Sequence, residues 1–315
     1  MTSRRALVKP AALGPGANLA VISPASTPKP NLVHQGISRL HALGYRTVLG
    51  EHALDRGPLY YAGTLEHRLA DLHAAFADPS IDGILCTRGG WGSAELLPYL
   101  NAALIRAHPK AFIGYSDHTA LHSWLHTEAD LVTFHGPMVA ADFARQDGID
   151  IPSWQHSVEG AASWSLGPAD GLRVLRAGTA EGNLQGGCLA ILVESLGTPY
   201  APEIKDSILF LEDIGTKPYQ WDRMLLHLRY AGVLDRVRGI VFGDMSQCIT
   251  AAEHEYLEQA ILHSLHNFDG PVAIGLRSGH VDGSNITLPL GIPVKLDLAE
   301  PGNPQMHFLE AAVTV

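Results

Sequence analysis

With 315 residues the chain exceeds the roughly 250 to 300 at which a single hydrophobic core stops growing, so two domains are expected. Hydrophobic residues at 46% against 17% charged supply a core and exclude a disordered chain. The formal net charge of −10, with no cluster of Lys or Arg, excludes nucleic acid and anionic membranes as expected partners.

The chain opens with MTSRRALVKPAALGPGANLAVISPAS, in which Pro and Gly interrupt any apolar run long enough for a secretory signal. No later stretch approaches the ~20 apolar residues that cross a bilayer, so a soluble, cytoplasmic protein is expected. NLAVISP reads as a first strand. A helix over 31–43 follows, with Val33, Ile37 and Leu40 on one face and Gly44 as its stop. After the strand YRTVL, Thr64 can cap a helix carrying Leu65, Leu69, Leu72 and Phe76 at helical spacing. DPSIDG then turns the chain into the strand ILCT, and a glycine-rich turn and a further helix lead to the strand AFIG. This alternation predicts an α/β fold whose N-terminal domain, residues 1–150, is a mainly parallel sheet layered with helices.

Between Gln146 and Gly182 the periodicity is lost, and a linker is expected over 151–182. The C-terminal domain, 183–315, reads as mixed α/β with a β-rich tail. It has a helix near Gly187 to Leu196, the strand SILFLE, a helix opened by Pro218, the strand GIVFGD, a helix from Glu253 to His266, and the strand PVAIG. The tail segments NITLPLGIPVKLDLA and MHFLEAAVTV read as antiparallel strands.

Three cysteines, Cys86, Cys188 and Cys248, are odd in number and widely spaced, which suits free buried thiols in a reducing compartment. Among 17 histidines, His118 and His122 share a helical face at i, i+4, but no HExxH or comparable ligand set accompanies them. The histidines are expected at the surface or at helix caps, and no metal is expected.

Ser116 lies in PKAFIGYSDHTALHSWL, where an apolar strand ends and an amphipathic helix begins at once. A sharp strand-to-helix turn lifts the hydroxyl clear of the sheet and aims the next N–H, from Asp117, at an oxyanion beside the helix N-terminus. The pentapeptide is Gly-x-Ser-x-His and lacks the second glycine of the common hydrolase motif, so a plain helix cap by Ser116 or Asp117 stands as an equal alternative. Arg88, Gly89, Gly90 and Gly92 lie between the strand ILCT and a helix, where bare amides can approach a ligand. A phosphate cradle, a second oxyanion donor and an ordinary tight turn are all open; the first lacks both GxGxxG and GxxxxGKS/T. A serine nucleophile also needs a base and a group to orient it. Glu212 closes SILFLE and His280 follows PVAIG in SGHVDGSN, both beyond the carboxyl ends of strands. The alternatives are a capping or Arg223-paired carboxylate for Glu212 and a turn histidine for His280.

The order and wording of these segments resemble the LD-carboxypeptidase family, which includes murein tetrapeptide carboxypeptidase and the microcin C resistance peptidase. The resemblance runs from KPAALGPGANLAVISPAS through YAGTLEHRLADLHAAFADPSIDGILCTRGGWGS, PKAFIGYSDHTAL, TFHGPM and GTPYAP. It continues through ILFLEDIGTKPYQWDRMLLHL and GIVFGD to GHVDGSNITLPLG. It implies a Ser-Glu-His triad of Ser116 as nucleophile, His280 as base and Glu212 as its orienter, with the site spanning two domains. Gly90, or Gly89, would join Asp117 as backbone donor to the oxyanion. The implied activity is hydrolysis of an LD-peptide bond, releasing D-alanine from murein tetrapeptide in wall recycling in the cytoplasm, with a small peptide as substrate, no cofactor and a homodimeric assembly. Arg88 is a candidate for the substrate carboxylate. One departure is GGC at Gly186 to Cys188, where relatives carry GGN. Two rivals remain: a microcin-type peptidase acting on an aminoacyl nucleotide, for which Trp91, Trp154 or Trp164 would offer an aromatic platform, and a ligand-binding protein without turnover.

Overall fold

The computed structural model describes residues 7–245, 247–300 and 302–315; Arg4 and Arg5 of the opening segment lie outside them. In chain order the strands are β1 (Asn18–Ile22), β2 (Arg46–Leu49), β3 (Gly83–Cys86), β4 (Ala111–Gly114) and β5 (Thr133–His135). Then come β6 (Trp164–Leu166), β7 (Arg173–Arg176), β8 (Thr179–Cys188), β9 (Ser207–Glu212) and β10 (Val237–Gly243). The last four are β11 (Val272–Leu276), β12 (Leu288–Leu290), β13 (Pro293–Asp297) and β14 (Gln305–Phe308). Among the described residues no helix is long and apolar enough to cross a membrane.

The first sheet runs β12-β5-β4-β3-β1-β2, with β1 to β5 parallel. Strands β3 and β4 are buried at every position, as a parallel sheet covered on both faces requires. The chain winds outward in both directions from between β1 and β3, and the loops leaving their carboxyl ends part to form a crevice. β12 arrives from the far end of the chain and pairs antiparallel with β5, setting Leu288 opposite His135.

The second sheet runs β6-β14-β13-β8-β9-β10-β11-β7. Its centre, β8 to β11, is parallel, and antiparallel strands close both edges. The stretch 151–182, which reads as a connection, carries the helix Ile151–Gln155, β6, β7 and the start of β8. Its alternation is faint because β6 and β7 are short edge strands with few buried positions. Trp164 is explained there: it stacks on Phe308 with ring centroids 4.0 Å apart.

Strand β9 joins two cores by simple period-two alternation. Ile208 and Phe210 face a cluster shared with Val21, Ile113 and Phe134 of the first sheet. Leu209 and Leu211 face a second cluster with Trp221 and Leu225 of the helix Pro218–Tyr230 and Ile261 of the helix His254–Ser264. A third cluster fills the other side of the first sheet beneath the helices Leu65–Ala77 and Thr119–Glu128. Phe210 and Phe134 are fully buried, and burial of each such ring is worth about 1.5 to 3 kcal/mol. The shared cluster thereby fixes the carboxyl end of β9 against that of β4.

Candidate active site

β4 ends at Gly114, and two residues later Ser116 takes φ +65°. A non-glycine residue there costs of order 1–3 kcal/mol, strain that surrounding bonds must hold. A 3-10 turn, Ser116–His118, runs straight into the helix Thr119–Glu128. Asp117 Oδ2 accepts the Ser93 N–H at 2.8 Å, so Asp117 does cap a helix, but the neighbouring one that starts at Ser93. His118 Nε2–H donates to the Arg88 carbonyl at 3.0 Å, leaving Nδ1 to accept the Ser93 hydroxyl at 2.9 Å. Burial pushes His118 down to about 4, so the ring is neutral, and pushes the Asp117 carboxyl up to about 6. These bonds tie the loop after β3 to the turn after β4. A Cβ on Gly89 would lie 2.8 Å from that of Ser116, so only glycine lets the loop approach this closely. Among the described hydrogen bonds, the Gly89 and Gly90 N–H groups have no acceptor.

The second half of the site comes from β9 and the turn after β11. Glu212 is the last residue of β9, beside Cys188 of β8 in register. Its Oε2 accepts from His280 twice, from Nδ1–H at 2.6 Å and from the backbone N–H at 3.1 Å. That fixes the tautomer, so the free Nε2 lone pair faces the Ser116 hydroxyl at 3.0 Å. The side chains of Glu212 and His280 are 3% and 12% exposed, so the pair sits in low dielectric. Burial alone would raise Glu212 and lower His280, but their mutual attraction and hydrogen bonds win, holding Glu212 below and His280 above their ordinary values. Gly279, at φ +96°, lets the chain pass the carboxylate: a Cβ there would overlap Glu212. No pairing of Glu212 with Arg223 forms among the described residues.

Ser116 and His280 open into a cavity of about 480 Å³ whose lining includes Lys29, Arg88, Gly90, Met138 and Ile214. Arg88 is exposed and makes no salt bridge among the described residues. None of Trp91, Trp154 and Trp164 lines the cavity; Trp154 is buried, donating Nε1–H to the Tyr45 hydroxyl at 2.9 Å. Sequence reasoning misses Lys29 and Ile214, which carry no pattern of their own and reach the cavity only by folding.

Four of the histidines depart from expectation. His118, His122, His126 and His135 are all buried. The reason is local polarity: His122 bonds Thr133 Oγ1 and the Gly114 carbonyl, each at 2.8 Å, and His126 bonds the same Thr133 oxygen at 2.9 Å. On the i, i+4 face, His122 therefore points at β5 and the end of β4, and His118 at the loop after β3, and not at water. All three cysteines are free and buried, with Cys188 N–H donating to Thr119 Oγ1 at 3.0 Å ahead of the helix Leu189–Ser195. One group away from the cavity, His52, Asp55 and His67, brings possible metal-binding atoms together. Its two rings stack at 3.9 Å and 17°, so no single ion can lie in both ring planes, and each Nδ1 is 2.9 Å from Asp55 Oδ2. The arrangement is that of a hydrogen-bonded clasp.

A strained serine, an imidazole and a buried carboxylate thus come together where two α/β sheets meet beside a cavity. The chain belongs to the LD-carboxypeptidase family: the model of its N-terminal domain matches residues 19–136 and that of its C-terminal domain residues 181–296. It is 37% identical over 299 residues to a probable murein peptide carboxypeptidase of Bacillus subtilis (strain 168), covering 93% of this chain and 92% of the relative. Among solved structures, it resembles an MccF-like protein from Bacillus anthracis with a TM-score of 0.88 at 26% identity, covering 96% of this chain and 99% of that one. It also resembles muramoyltetrapeptide carboxypeptidase from Oxalobacter formigenes with a TM-score of 0.82 at 28% identity, covering 95% and 100% of the two chains.

Proposed function

We propose that the protein is a serine-type LD-carboxypeptidase that removes the terminal D-alanine from murein tetrapeptide. The observation carrying this reading is the continuous line from Glu212 through His280 to Ser116, open at one end to the cavity. His280 Nε2 takes the Ser116 proton as Oγ attacks the carbonyl carbon of the bond to D-alanine. The tetrahedral oxyanion is received by the amides of Asp117 and Gly90, with Gly89 the alternative to Gly90. His280 then returns the proton to the departing D-alanine nitrogen, leaving an acyl group on Ser116. A water gives its proton to His280, attacks that ester and regenerates the hydroxyl. Glu212 stays ionised, holds the Nδ1–H tautomer and stabilises the transient imidazolium.

Arg88 is assigned to the free terminal carboxylate of the substrate, because it is an uncommitted guanidinium at the cavity wall. The proposal extends to a reaction run in the cytoplasm, on recovered wall peptides, by a homodimer, a reading that family resemblance supports. A reading as a microcin-type nucleotide peptidase has the fold likeness to the MccF-like protein in its favour. The 37% identity to a murein peptide carboxypeptidase and a cavity without a tryptophan platform favour the tetrapeptide.

The test is mass spectrometry of murein tetrapeptide after incubation with the protein. Loss of one D-alanine, absent with Ser116→Ala, is the expected result. An untouched tetrapeptide beside a cleaved aminoacyl sulfamoyl nucleotide would move the function to the microcin-type branch, and cleavage of neither would make it a binding protein.

A further inference from the structure

The carboxylate of Glu212 spends only one of its oxygens on His280. Oε1 is buried, and no described hydrogen bond reaches it. Facing it across 4.0 Å is Nε2 of His135, the last residue of β5, in the segment TFHGPM. His135 is fully buried, and neither of its ring nitrogens has a hydrogen-bond partner among the described residues. Leaving such groups unmet is costly, and most severely so for a charged carboxylate oxygen. Each is the nearest remedy for the other's deficit: the imidazole can donate, the carboxylate can only accept, and closing the gap to the usual ~2.9 Å needs a shift of about 1 Å.

We propose that His135 is a positioning residue, whose Nε2–H holds Oε1 of Glu212 so that Oε2 stays turned toward His280. The inference rests on the triad reading above and extends it by one member. His135 does not touch substrate. It sits behind the carboxylate, packed edge-on against Phe210 at 5.1 Å, and Tyr115 lies between it and His280 with ring centroids 5.7 and 5.0 Å away. β12 pairs with β5 at this residue, with Leu288 opposite, so the ring is held by the strand that stitches the chain's tail into the first sheet. The bond therefore crosses from the first sheet to the second, linking the two halves from behind as the bond between Ser116 and His280 links them in front. Burial pushes His135 down to about 4, so it serves as a neutral donor through the working range.

The direction of the pH effect follows from charge. His280 is faced by Glu212, by Asp213 after β9 and by Asp142, which Arg145 partly neutralises. Removing the donor from Oε1 leaves the Glu212 carboxylate more basic and better able to hold a proton on His280. That raises the His280 value, so the acid limb of the rate profile moves to higher pH.

The experiment compares kcat, KM and pH profiles for the full chain on its LD-peptide substrate with His135→Leu, His135→Gln and Glu212→Gln, each checked by thermal unfolding. His135→Leu is expected to lower kcat about 10- to 100-fold, the scale of a lost hydrogen bond to a charged group, with KM within about twofold. Its acid limb should move up, and His135→Gln, which keeps an amide donor, should recover most of the loss. In a Glu212→Gln background the further loss should vanish, because His135 acts only through that carboxylate. Should the leucine variant not fold, His135→Asn, polar but too short to reach Glu212, is read in the same way. A kcat within twofold of wild type with an unmoved acid limb would overturn the proposal, and so would an equal loss in both backgrounds. If Glu212→Gln itself leaves kcat unchanged, the triad reading fails instead.

Discussion

The two sheets furnish the site in different ways. The end of the first sheet offers a serine in strained backbone, glycine-loop amides without an acceptor among the described residues, and a network in which burial holds His118 down at about 4 and raises Asp117 to about 6. The end of the second offers a buried carboxylate and imidazole, Glu212 and His280, whose attraction outweighs the cost of burial. One half is built from conformation and backbone dipoles, the other around a buried carboxylate and the imidazole it holds. On the proposed mechanism this is a division of labour: the atom that attacks and the dipoles that receive negative charge sit on one sheet, while the groups that move a proton sit on the other.

If that division holds, the largest effects come from breaking either side of the 3.0 Å contact between them. Ser116→Ala and His280→Ala should each lower kcat by about 10⁴-fold or more, with the double variant no worse than either single one, because the pair acts as a unit. Steady-state kinetics on the three proteins checks this, and additive losses would separate the halves.

A smaller pair of changes distinguishes the halves. Gly279→Ala crowds the Glu212 carboxylate at φ +96°, and Gly89→Ala crowds Ser116. Each should cost about 10²-fold in kcat, the scale of a misplaced reacting group. Only Gly279→Ala should also move the acid limb of the rate profile, since only it disturbs the Glu212–His280 contact; the pH dependence of kcat/KM decides.

Arg88→Ala should raise KM about 10- to 100-fold while kcat changes little, as expected for loss of a charge-assisted contact to a substrate carboxylate. Initial rates against substrate concentration measure it, and an unchanged KM would remove Arg88 from recognition.

The gentlest probe is pH itself. His280 must be neutral to accept the serine proton, and Glu212 holds its value above the ordinary 6.5, so kcat/KM should fall as pH drops through a midpoint above 6.5. On the first sheet His118 lies near 4, well below that step, while the Asp117 carboxyl is pushed up to about 6, so any second, shallower step is expected from Asp117.

Much of the first half is legible from sequence because its strands and helices follow one another with clean periodicity, and Ser116 can be placed at a strand-to-helix turn, where a plain cap reads equally well. Its left-handed backbone is not legible, since no residue type there demands φ +65°. Glu212 and His280 can be placed only at strand ends; their bond depends on which strands become neighbours across 68 residues of chain. The buried histidines mislead because their partners, Thr133 and the Gly114 carbonyl, are tertiary. The stretch 151–182 misleads because short edge strands leave little alternation to read. Family resemblance bridges part of this gap, bringing distant segments together that periodicity leaves apart.

The central claim is that the two sheets complete one nucleophile, and covalent labelling tests it most directly. Treated with a fluorophosphonate and mapped by peptide mass spectrometry, the protein should carry a single adduct on Ser116, formed at a rate that collapses in His280→Ala. An adduct on another residue, or labelling of Ser116 at an undiminished rate without His280, would contradict the account.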